Sequence, residues 1–170
     1  MDELGGKSLG ETLLTPTRIY VKSVQCLLKN GIHVKAISHI TGGGLYENVP
    51  RMMKEGLTAR IETASFPVPP IFELIAKKGD IPLRDMYNTF NMGVGLILAI
   101  PKEEVGQAKE ILCRSGERAY IIGSVVSGDA GVELVWARNA SPYWSPAAAP
   151  TSRPSSTPNR PESSRAARSW

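Results

Sequence analysis

A chain of 170 residues can bury one sizeable core but is short for two ordinary domains, so a single folded domain is expected. The formal net charge of +4 comes from the end of the sequence, since residues 1–136 carry 15 Lys and Arg against 15 Asp and Glu, and residues 137–170 carry 5 Arg against 1 Glu. The balance in the larger part excludes nucleic-acid binding through an excess of basic side chains, so no nucleic-acid partner is expected.

The first predicted element is a helix that ends before Gly31, with Thr15 as its N-cap and Pro16 at its first helical position. Apolar side chains recur along it at helical spacing. Residues 33–40 form a short run, rich in β-branched side chains and bounded by glycines, which predicts a strand ending near His39.

The remaining elements alternate between helix and strand. Apolar side chains at helical spacing after three consecutive glycines predict a helix that Pro50 ends or kinks. Residues 57–63 alternate apolar and polar side chains and predict a strand with one face in water, whereas residues 93–100 predict a strand buried on both faces. Proline-headed and amphipathic runs predict helices at 69–79, 81–90 and 101–116, and apolar runs predict strands at 119–126 and 131–136.

This order of elements predicts an α+β fold of mixed α/β layers, in which a sheet packs against helices. Its expected extent is residues 13–136. Residues 137–170 differ in composition, because Pro, Ser, Ala and Arg dominate there. They contain few large aliphatic side chains whose burial could offset the ~1–2 kcal/mol per residue that backbone ordering costs. We expect a disordered tail there. Its abrupt composition favours non-native sequence, translated out of frame or from a vector, and a native interaction tail is the alternative.

The cysteines and histidines predict no metal site. Cys26 and Cys113 have helix-like positions in apolar company, which indicates buried free thiols and neither a disulfide framework nor a zinc signature. His33 and His39 have no cysteine or third histidine near them, and His33 is expected at the surface.

The start of the sequence is polar and lacks the charged-then-apolar order of a secretory signal. No apolar run approaches the ~20 residues that span a bilayer. We therefore expect a cytoplasmic protein with no membrane partner.

The glycine loop, residues 41–44, joins the first predicted strand to the following helix. Consecutive backbone N–H groups at a helix N-terminus attract anions, and the missing side chains of Gly42, Gly43 and Gly44 let an anion approach closely. The pattern is neither the dinucleotide-binding glycine motif nor the P-loop, because no Lys-Ser/Thr pair follows the glycines. A phosphate cradle and a tightly packed turn both fit the sequence.

The glycine loop lies in one of three motifs that together indicate a family: LTPTRIYVKSV, SHITGGGLYENVPR and TFNMGVGLILAIP. Over residues 10–134 they closely resemble the phosphoribosylformylglycinamidine cyclo-ligases, the aminoimidazole ribonucleotide synthetases of purine biosynthesis. The resemblance implies an ATP-dependent reaction that closes the imidazole ring of formylglycinamidine ribonucleotide and gives aminoimidazole ribonucleotide, ADP and phosphate. It also implies a phosphoribosyl substrate, the cofactors ATP and Mg²⁺ in the complete enzyme, and a cytoplasmic homodimer.

The resemblance covers the C-terminal domain of that family alone. The acidic, glycine-rich segment of the family's ATP site, which lies in an N-terminal domain, has no counterpart here. The resemblance therefore implies that residues 1–12 are a remnant of an interdomain connection and that the missing N-terminal ATP domain is a partner. Alone, this chain is expected to hold neither ATP nor Mg²⁺ and to be inactive. A stand-alone phosphate-binding or assembly module of the same fold is the alternative.

Within this resemblance the glycine loop fits the ribose 5-phosphate of the substrate or a transferring phosphate. Thr41 either adds a hydroxyl donor or caps the helix. His39 either contacts substrate as an acid or base, which would make it the catalytic residue, or is a packing histidine. Asn48 is a candidate hydrogen-bond donor to substrate, and Glu47 is expected to pair with Arg51 one turn along the helix.

Two further motifs supply candidates outside the loop. Thr17 and Arg18 belong to the PTRIY motif, where Arg18 either clamps a phosphate or carboxylate or forms an ion pair that holds the helix start. Asn91 and Gly93 occupy a turn between a helix and a strand that suits a left-handed backbone, and Asn91 is also a candidate substrate contact.

Overall fold

The computed structural model describes residues 4–129 and 131–136, so the predicted tail lies outside the described residues. Its helices are α1 (Leu9–Leu13), α2 (Val21–Lys29), α3 (Gly44–Asn48), α4 (Pro70–Gly79), α5 (Leu83–Thr89) and α6 (Val105–Arg114). Its strands are β1 (Ala36–His39), β2 (Leu57–Glu62), β3 (Leu96–Ala99), β4 (Gly123–Ser127) and β5 (Gly131–Val135). Short 3₁₀ turns lie at Pro50–Met52 and Lys102–Glu104. None of the described helices is long and apolar enough to cross a membrane.

The strands form two sheets. β1 and β3 pair antiparallel, with His39 opposite Leu96 at the end of β1. β2 is the central strand of the other sheet, antiparallel to β4 on one side and parallel to β5 on the other. This mixture of helices and sheets confirms the predicted fold class. The alternation along β2 is also confirmed, since Ala59 and Ile61 are buried while Arg60 and Glu62 are exposed.

Two apolar clusters form the core. The larger cluster has these buried members: Ile40, Leu45, Val49, Ala59, Ile61, Phe66, Ala76, Leu83, Met86, Tyr87, Met92, Ile97 and Leu134. The smaller cluster lies between α2 and α6, and its buried members are Leu27, Ile32, Ala108 and Ile111.

β3 contacts both clusters, through Ile97 on one face and Leu98 on the other. The prediction of a strand buried on both faces is only partly correct, because Ile97 is buried while Leu96, Leu98 and Ala99 are half-buried. Among the described strands β3 pairs with β1 alone, so its sheet is too narrow to enclose it.

The first predicted helix begins later than its local signals indicate. Thr15 is not its N-cap and Pro16 is not its first residue, because α2 begins at Val21. The Thr15 hydroxyl instead donates to the carbonyl oxygen of Glu11 at 3.2 Å, at the end of α1.

The predicted C-terminal ends of α2 and α3 are confirmed. Gly31 follows α2 with a φ of +79°, a left-handed conformation that costs glycine nothing. The N–H groups of Gly31 and Ile32 donate to the carbonyl oxygens of Leu28 and Leu27, each at 3.1 Å, in the Schellman motif. Pro50 ends the helix after the loop, since the 3₁₀ turn begins there.

Both cysteines are free thiols as predicted, but neither is buried as predicted. Cys26 is half-buried on α2, and Cys113 is exposed on α6. The reason lies in the geometry of α6, which turns Ala108 and Ile111 towards α2. Cys113 follows Ile111 by two residues, about 200° around the helix, and therefore faces away from the core.

His33 is exposed, as predicted, and it pairs with Glu104. The Glu104 carboxylate accepts the backbone N–H of His33 at 2.7 Å and contacts its ring Nδ1 at 2.6 Å. These contacts, the backbone one foremost, lower the pKa of Glu104 from its ordinary value of 4.5.

We expect Glu104→Gln to flatten the dependence of stability on pH below about pH 4.5. A carboxyl whose pKa is lowered by folding stabilises the protein above its unfolded pKa, and that contribution is lost as the pH falls through the folded value. Urea unfolding between pH 3 and 7 measures it. Glu103→Gln is the matched control, because Glu103 makes no ion pair or side-chain hydrogen bond within the described residues. Parallel pH profiles of the Glu104→Gln variant and the unmodified chain would contradict the prediction.

Candidate functional site

The glycine loop leaves β1 beside β3 and enters α3 through a tight turn. The N–H of Ile40 donates to the carbonyl oxygen of Gly95 at 2.9 Å, which continues the pairing of β1 with β3. The N–H of Gly44 donates to the carbonyl oxygen of Thr41 at 3.1 Å and closes the turn. Within the described residues the N–H groups of Gly42 and Gly43 donate no hydrogen bond, so two donors remain for a ligand.

The three glycines have three different surroundings. A Cβ on Gly44 would overlap the carbonyl oxygen of Tyr87 and lie 2.8 Å from that of Phe90, so this glycine lets α3 pack against the end of α5. Gly43 has a φ of +92°, and a Cβ there would lie 2.8 Å from that of Glu47. A Cβ on Gly42 would meet no heavy atom of the described residues within 4 Å.

Packing and backbone conformation therefore explain Gly43 and Gly44 but not Gly42. Gly42 is exposed and its φ is not positive, so the structure gives no steric reason for a glycine there. The packed turn is therefore confirmed at Gly43 and Gly44. The phosphate cradle stays a prediction, and Gly42 is the position that leaves room for it.

Asn48 holds the loop from inside the protein. It is 5% exposed, and its side-chain amide donates to the carbonyl oxygens of Gly44 at 2.8 Å, Gly42 at 3.1 Å and Thr41 at 3.5 Å. Arg51 donates to its side-chain oxygen at 3.4 Å. This placement assigns Asn48 the role of fixing the loop, and a contact between Asn48 and substrate stays a prediction.

His39 and Thr41 lie on the exposed side of the loop. Thr41 does not cap the helix, since the N-cap of α3 is Gly43 and no side chain donates or accepts a cap hydrogen bond there. His39 is exposed and so is not a buried packing histidine. Its ring meets that of Tyr20 edge to face, with centroids 6.0 Å apart.

The Glu47–Arg51 pair is present as predicted, with a distance of 3.8 Å between the guanidinium nitrogen and the carboxylate oxygen. Both side chains are more than half exposed, so the pair contributes little to stability.

Arg18 forms an ion pair with Glu117, in the loop that follows α6. The same carboxylate accepts the hydroxyl hydrogen bond of buried Ser23 at 2.9 Å. These contacts join the chain before α2 to the end of α6, which is the structural alternative that the sequence left open for Arg18. Thr17 beside it is exposed and makes no side-chain hydrogen bond within residues 4–129 and 131–136, so its contact with substrate stays a prediction.

Asn91 closes the turn before β3. Its side-chain oxygen accepts the N–H of Gly93 at 2.9 Å, and its carbonyl oxygen accepts that of Val94 at 2.9 Å. Met92 and Gly93 have φ values of +52° and +95°, so the predicted left-handed turn is confirmed.

Sequence reasoning missed Tyr20. Its hydroxyl lies against the backbone of Gly95, where a Cβ would overlap it, and its ring flanks His39. Burial raises the pKa of the Tyr20 phenol above its ordinary value. Tyr20 stands in the PTRIYV motif, but nothing local in the sequence indicates that it reaches β3.

The exposed side of the loop thus combines an imidazole, a hydroxyl and free backbone N–H groups. Such a set can donate hydrogen bonds to a phosphate, and an imidazole can give or take a proton. Among the described residues, no group of three or more His, Cys, Asp and Glu side chains could hold a metal ion.

The family model and the similar curated proteins agree on one family. The model of the family "AIR synthase related protein, C-terminal domain" matches residues 1–135. Phosphoribosylformylglycinamidine cyclo-ligase of Lachnospira eligens is 52% identical over 129 residues, which are 76% of this chain and 38% of that protein. The enzyme of the same name from Agathobacter rectalis is 48% identical over 130 residues, again 76% of this chain and 38% of that protein.

This chain therefore spans less than half the length of the curated relatives it matches. Among solved structures, the hydrogenase maturation protein HypE of E. coli is similar with a TM-score of 0.56 and 24% sequence identity. The match covers 78% of this chain and 39% of HypE, and it bears on the fold alone.

Proposed function

This chain belongs to the family of AIR synthase related proteins and has the C-terminal domain of that family, and we propose that it is the C-terminal part of a phosphoribosylformylglycinamidine cyclo-ligase. The family predicted from the three sequence motifs is thereby confirmed. The proposal for the activity rests on one observation, the 52% identity over 129 residues with the Lachnospira eligens cyclo-ligase.

In this proposal the chain supplies the substrate side of an ATP-dependent ring closure. Its described residues do not fit Mg²⁺, because they bring no group of three candidate ligands together. Its glycine loop also lacks the lysine with which a P-loop reaches a nucleotide phosphate. We therefore assign ATP and Mg²⁺ to the part of the relatives that this chain does not span.

The glycine loop is the proposed phosphate contact of the phosphoribosyl substrate. The free N–H groups of Gly42 and Gly43 support it, as does the open space beside Gly42. Thr41 adds a hydroxyl on the same side, and His39 supplies the imidazole that gives or takes a proton. Arg18 pairs with Glu117, so its proposed role is to fix the segment before α2.

The test of the activity is complementation. The chain alone, with ATP, Mg²⁺ and formylglycinamidine ribonucleotide, is expected to form no aminoimidazole ribonucleotide. Adding the separate N-terminal part of the Lachnospira eligens enzyme is expected to restore product formation. Turnover of ~1 s⁻¹ by the chain alone would refute the division of roles. Stable association of the two parts without product would refute the cyclo-ligase proposal and favour an assembly module.

Gly42→Val tests the phosphate contact. A branched side chain placed in the open space is expected to block an anion from the two free N–H groups and to weaken binding of ribose 5-phosphate about tenfold or more. The fold should survive, because the new Cβ meets no heavy atom of the described residues within 4 Å. Calorimetric titration measures the affinity, and circular dichroism checks the fold.

Gly106→Val is the matched control for this substitution. Gly106 is exposed on α6, also has open space around a Cβ, and lies in another element. The affinity of the Gly106→Val variant for ribose 5-phosphate should equal that of the unmodified chain. Undiminished binding by a folded Gly42→Val variant would remove the loop from the phosphate site.

A further inference from the structure

The imidazole of His39 is exposed at the end of β1, and no hydrogen bond within the described residues orients it. In that part of the chain, the histidine that pairs with a carboxylate is His33. Leu96, which lies opposite His39 on β3, has no side-chain donor or acceptor. A histidine that gives or takes a proton needs a neighbouring group that fixes its ring, and that group must here be something other than a hydrogen-bond partner.

The ring of Tyr20 is the neighbour that can fix the imidazole. The two rings meet edge to face, with centroids 6.0 Å apart and an angle of 71° between their planes. Rings in this arrangement attract each other, because the electropositive edge of one meets the electronegative face of the other. The contact can therefore set the tilt of the imidazole while its nitrogens stay available to a ligand.

Gly95 makes room for Tyr20. The φ of Gly95 is not positive, so its backbone conformation gives no reason for a glycine. A Cβ at this position would overlap the Tyr20 hydroxyl oxygen and lie 2.9 Å from the ring carbon that bears it. Gly95 directly precedes Leu96, the partner of His39 in β3, so Tyr20 contacts both strands at the end where the glycine loop begins.

The position of Tyr20 is fixed by anchors before and after it in the sequence. The Glu117 carboxylate pairs with Arg18, two residues before Tyr20, and accepts the hydroxyl hydrogen bond of Ser23, three residues after it, at 2.9 Å. Ser23 is buried, so this anchor lies inside the protein. The Tyr20 hydroxyl makes no hydrogen bond within the described residues, which leaves its ring as the group that contacts His39.

We propose that Tyr20 is a positioning residue for His39: its ring sets the orientation of the imidazole, and Gly95 supplies the space that this contact needs. The inference rests on the proposed function, in which His39 gives or takes a proton of the phosphoribosyl substrate. The contact between the two rings does not depend on that function, so it can be measured separately.

The first experiment records the Cε1–Hε1 signals of the histidines in the full chain by NMR. The chain has 2 histidines, so His39→Asn assigns the signal of His39, and the signal of His33 is the internal control. Tyr20→Leu removes the aromatic ring and should shift the His39 signal while that of His33 stays in place. Tyr20→Phe keeps the ring and should restore the original position.

Tyr120→Leu is the matched control for the loss of a tyrosine. Tyr120 is 44% exposed and makes no ring contact within the described residues, so its replacement should leave the His39 signal in place. An unshifted His39 signal in a folded Tyr20→Leu variant would overturn the proposal.

Gly95→Ala tests the same contact without removing the tyrosine. The added methyl group should displace Tyr20 and shift the His39 signal. Combining Gly95→Ala with Tyr20→Phe should return the signal part of the way, because the oxygen that overlaps the methyl group is then absent. Circular dichroism checks the fold of each variant. A His39 signal that Gly95→Ala leaves in place in a folded chain would contradict the role given to Gly95 and Tyr20.

The second experiment measures kcat and KM of the chain complemented by the separate N-terminal part of the Lachnospira eligens enzyme. Tyr20→Leu should lower kcat about tenfold or more and change KM less than about threefold, because a misplaced proton carrier slows chemistry more than binding. In a His39→Asn background, Tyr20→Leu should change kcat less than about twofold. Equal losses of kcat in both backgrounds would show that Tyr20 does not act through His39 and would overturn the proposal.

The results of the two experiments separate this inference from the proposed function. Product formed at the same kcat by the Tyr20→Leu variant and the unmodified chain would overturn the positioning role and leave the cyclo-ligase assignment standing. A His39 signal that depends on the ring of Tyr20, together with no product from the complemented chain, would overturn the assignment and support the contact between the two rings.

Discussion

Gly44→Ala is expected to destabilise the domain by about 2–5 kcal/mol, a large share of the roughly 5–15 kcal/mol that holds a domain of this size together. Two costs combine. The new Cβ would overlap the carbonyl oxygen of Tyr87, which belongs to the backbone of α5 and cannot rotate away. The φ of +54° is also unfavourable for alanine.

Thermal and urea unfolding followed by circular dichroism measure the loss, and Gly42→Ala is the matched control. Gly42 is two residues away, has no positive φ and has open space around a Cβ, so its variant should unfold within about 0.5 kcal/mol of the unmodified chain. Equal stability of the two alanine variants would show that α3 and α5 do not meet closely at Gly44.

Asn48→Asp is expected to cost about 3–5 kcal/mol at pH 7. The substitution keeps the shape of the side chain but replaces its N–H₂ group, which faces three carbonyl oxygens, with a carboxylate oxygen. The side chain is 5% exposed, so water cannot compensate. The guanidinium of Arg51, itself mostly exposed, gives only partial relief.

The dependence on pH makes this test sharper. Burial and the surrounding oxygens raise the pKa of an introduced carboxyl, and its protonated form can donate to one carbonyl oxygen. The loss of stability should therefore be smaller at pH 5 than at pH 7.5, measured by urea unfolding. Asn88→Asp on α5 is the control, because Asn88 makes no side-chain hydrogen bond within the described residues. A loss that did not change with pH would argue against burial of the new charge.

The helices and strands were largely predictable, because their signals are local. Pro50 ends α3 and Gly31 ends α2 through backbone constraints that the residues carry with them. The start of α2 was not predictable. Thr15 and Pro16 form a good local start signal, yet Arg18 is held by Glu117, which is 99 residues away in the sequence.

The position of the candidate site could be predicted from the sequence. The different roles of the residues within it could not. The glycine triplet marked the loop, but the sequence indicated Asn48 as a contact to substrate and did not show that it fixes the loop. The sequence could not show that Tyr87 crowds Gly44 while Gly42 faces open space, since this depends on how α5 lies against α3. Glu117 and Tyr20 were missed for the same reason, because their contacts join distant parts of the chain.

The position of β2 has a consequence for how the chain is synthesised. β2 lies before β4 and β5, the last two strands of the described residues, and it is completed as the central strand only by them. Its pairing with β5 is parallel. Pairings between distant segments form slowly, because a long loop must close before any contact is gained. During synthesis on the ribosome, we therefore expect the side chains of Ala59 and Ile61 to stay exposed to water until Leu134, which packs in the same cluster, has been made.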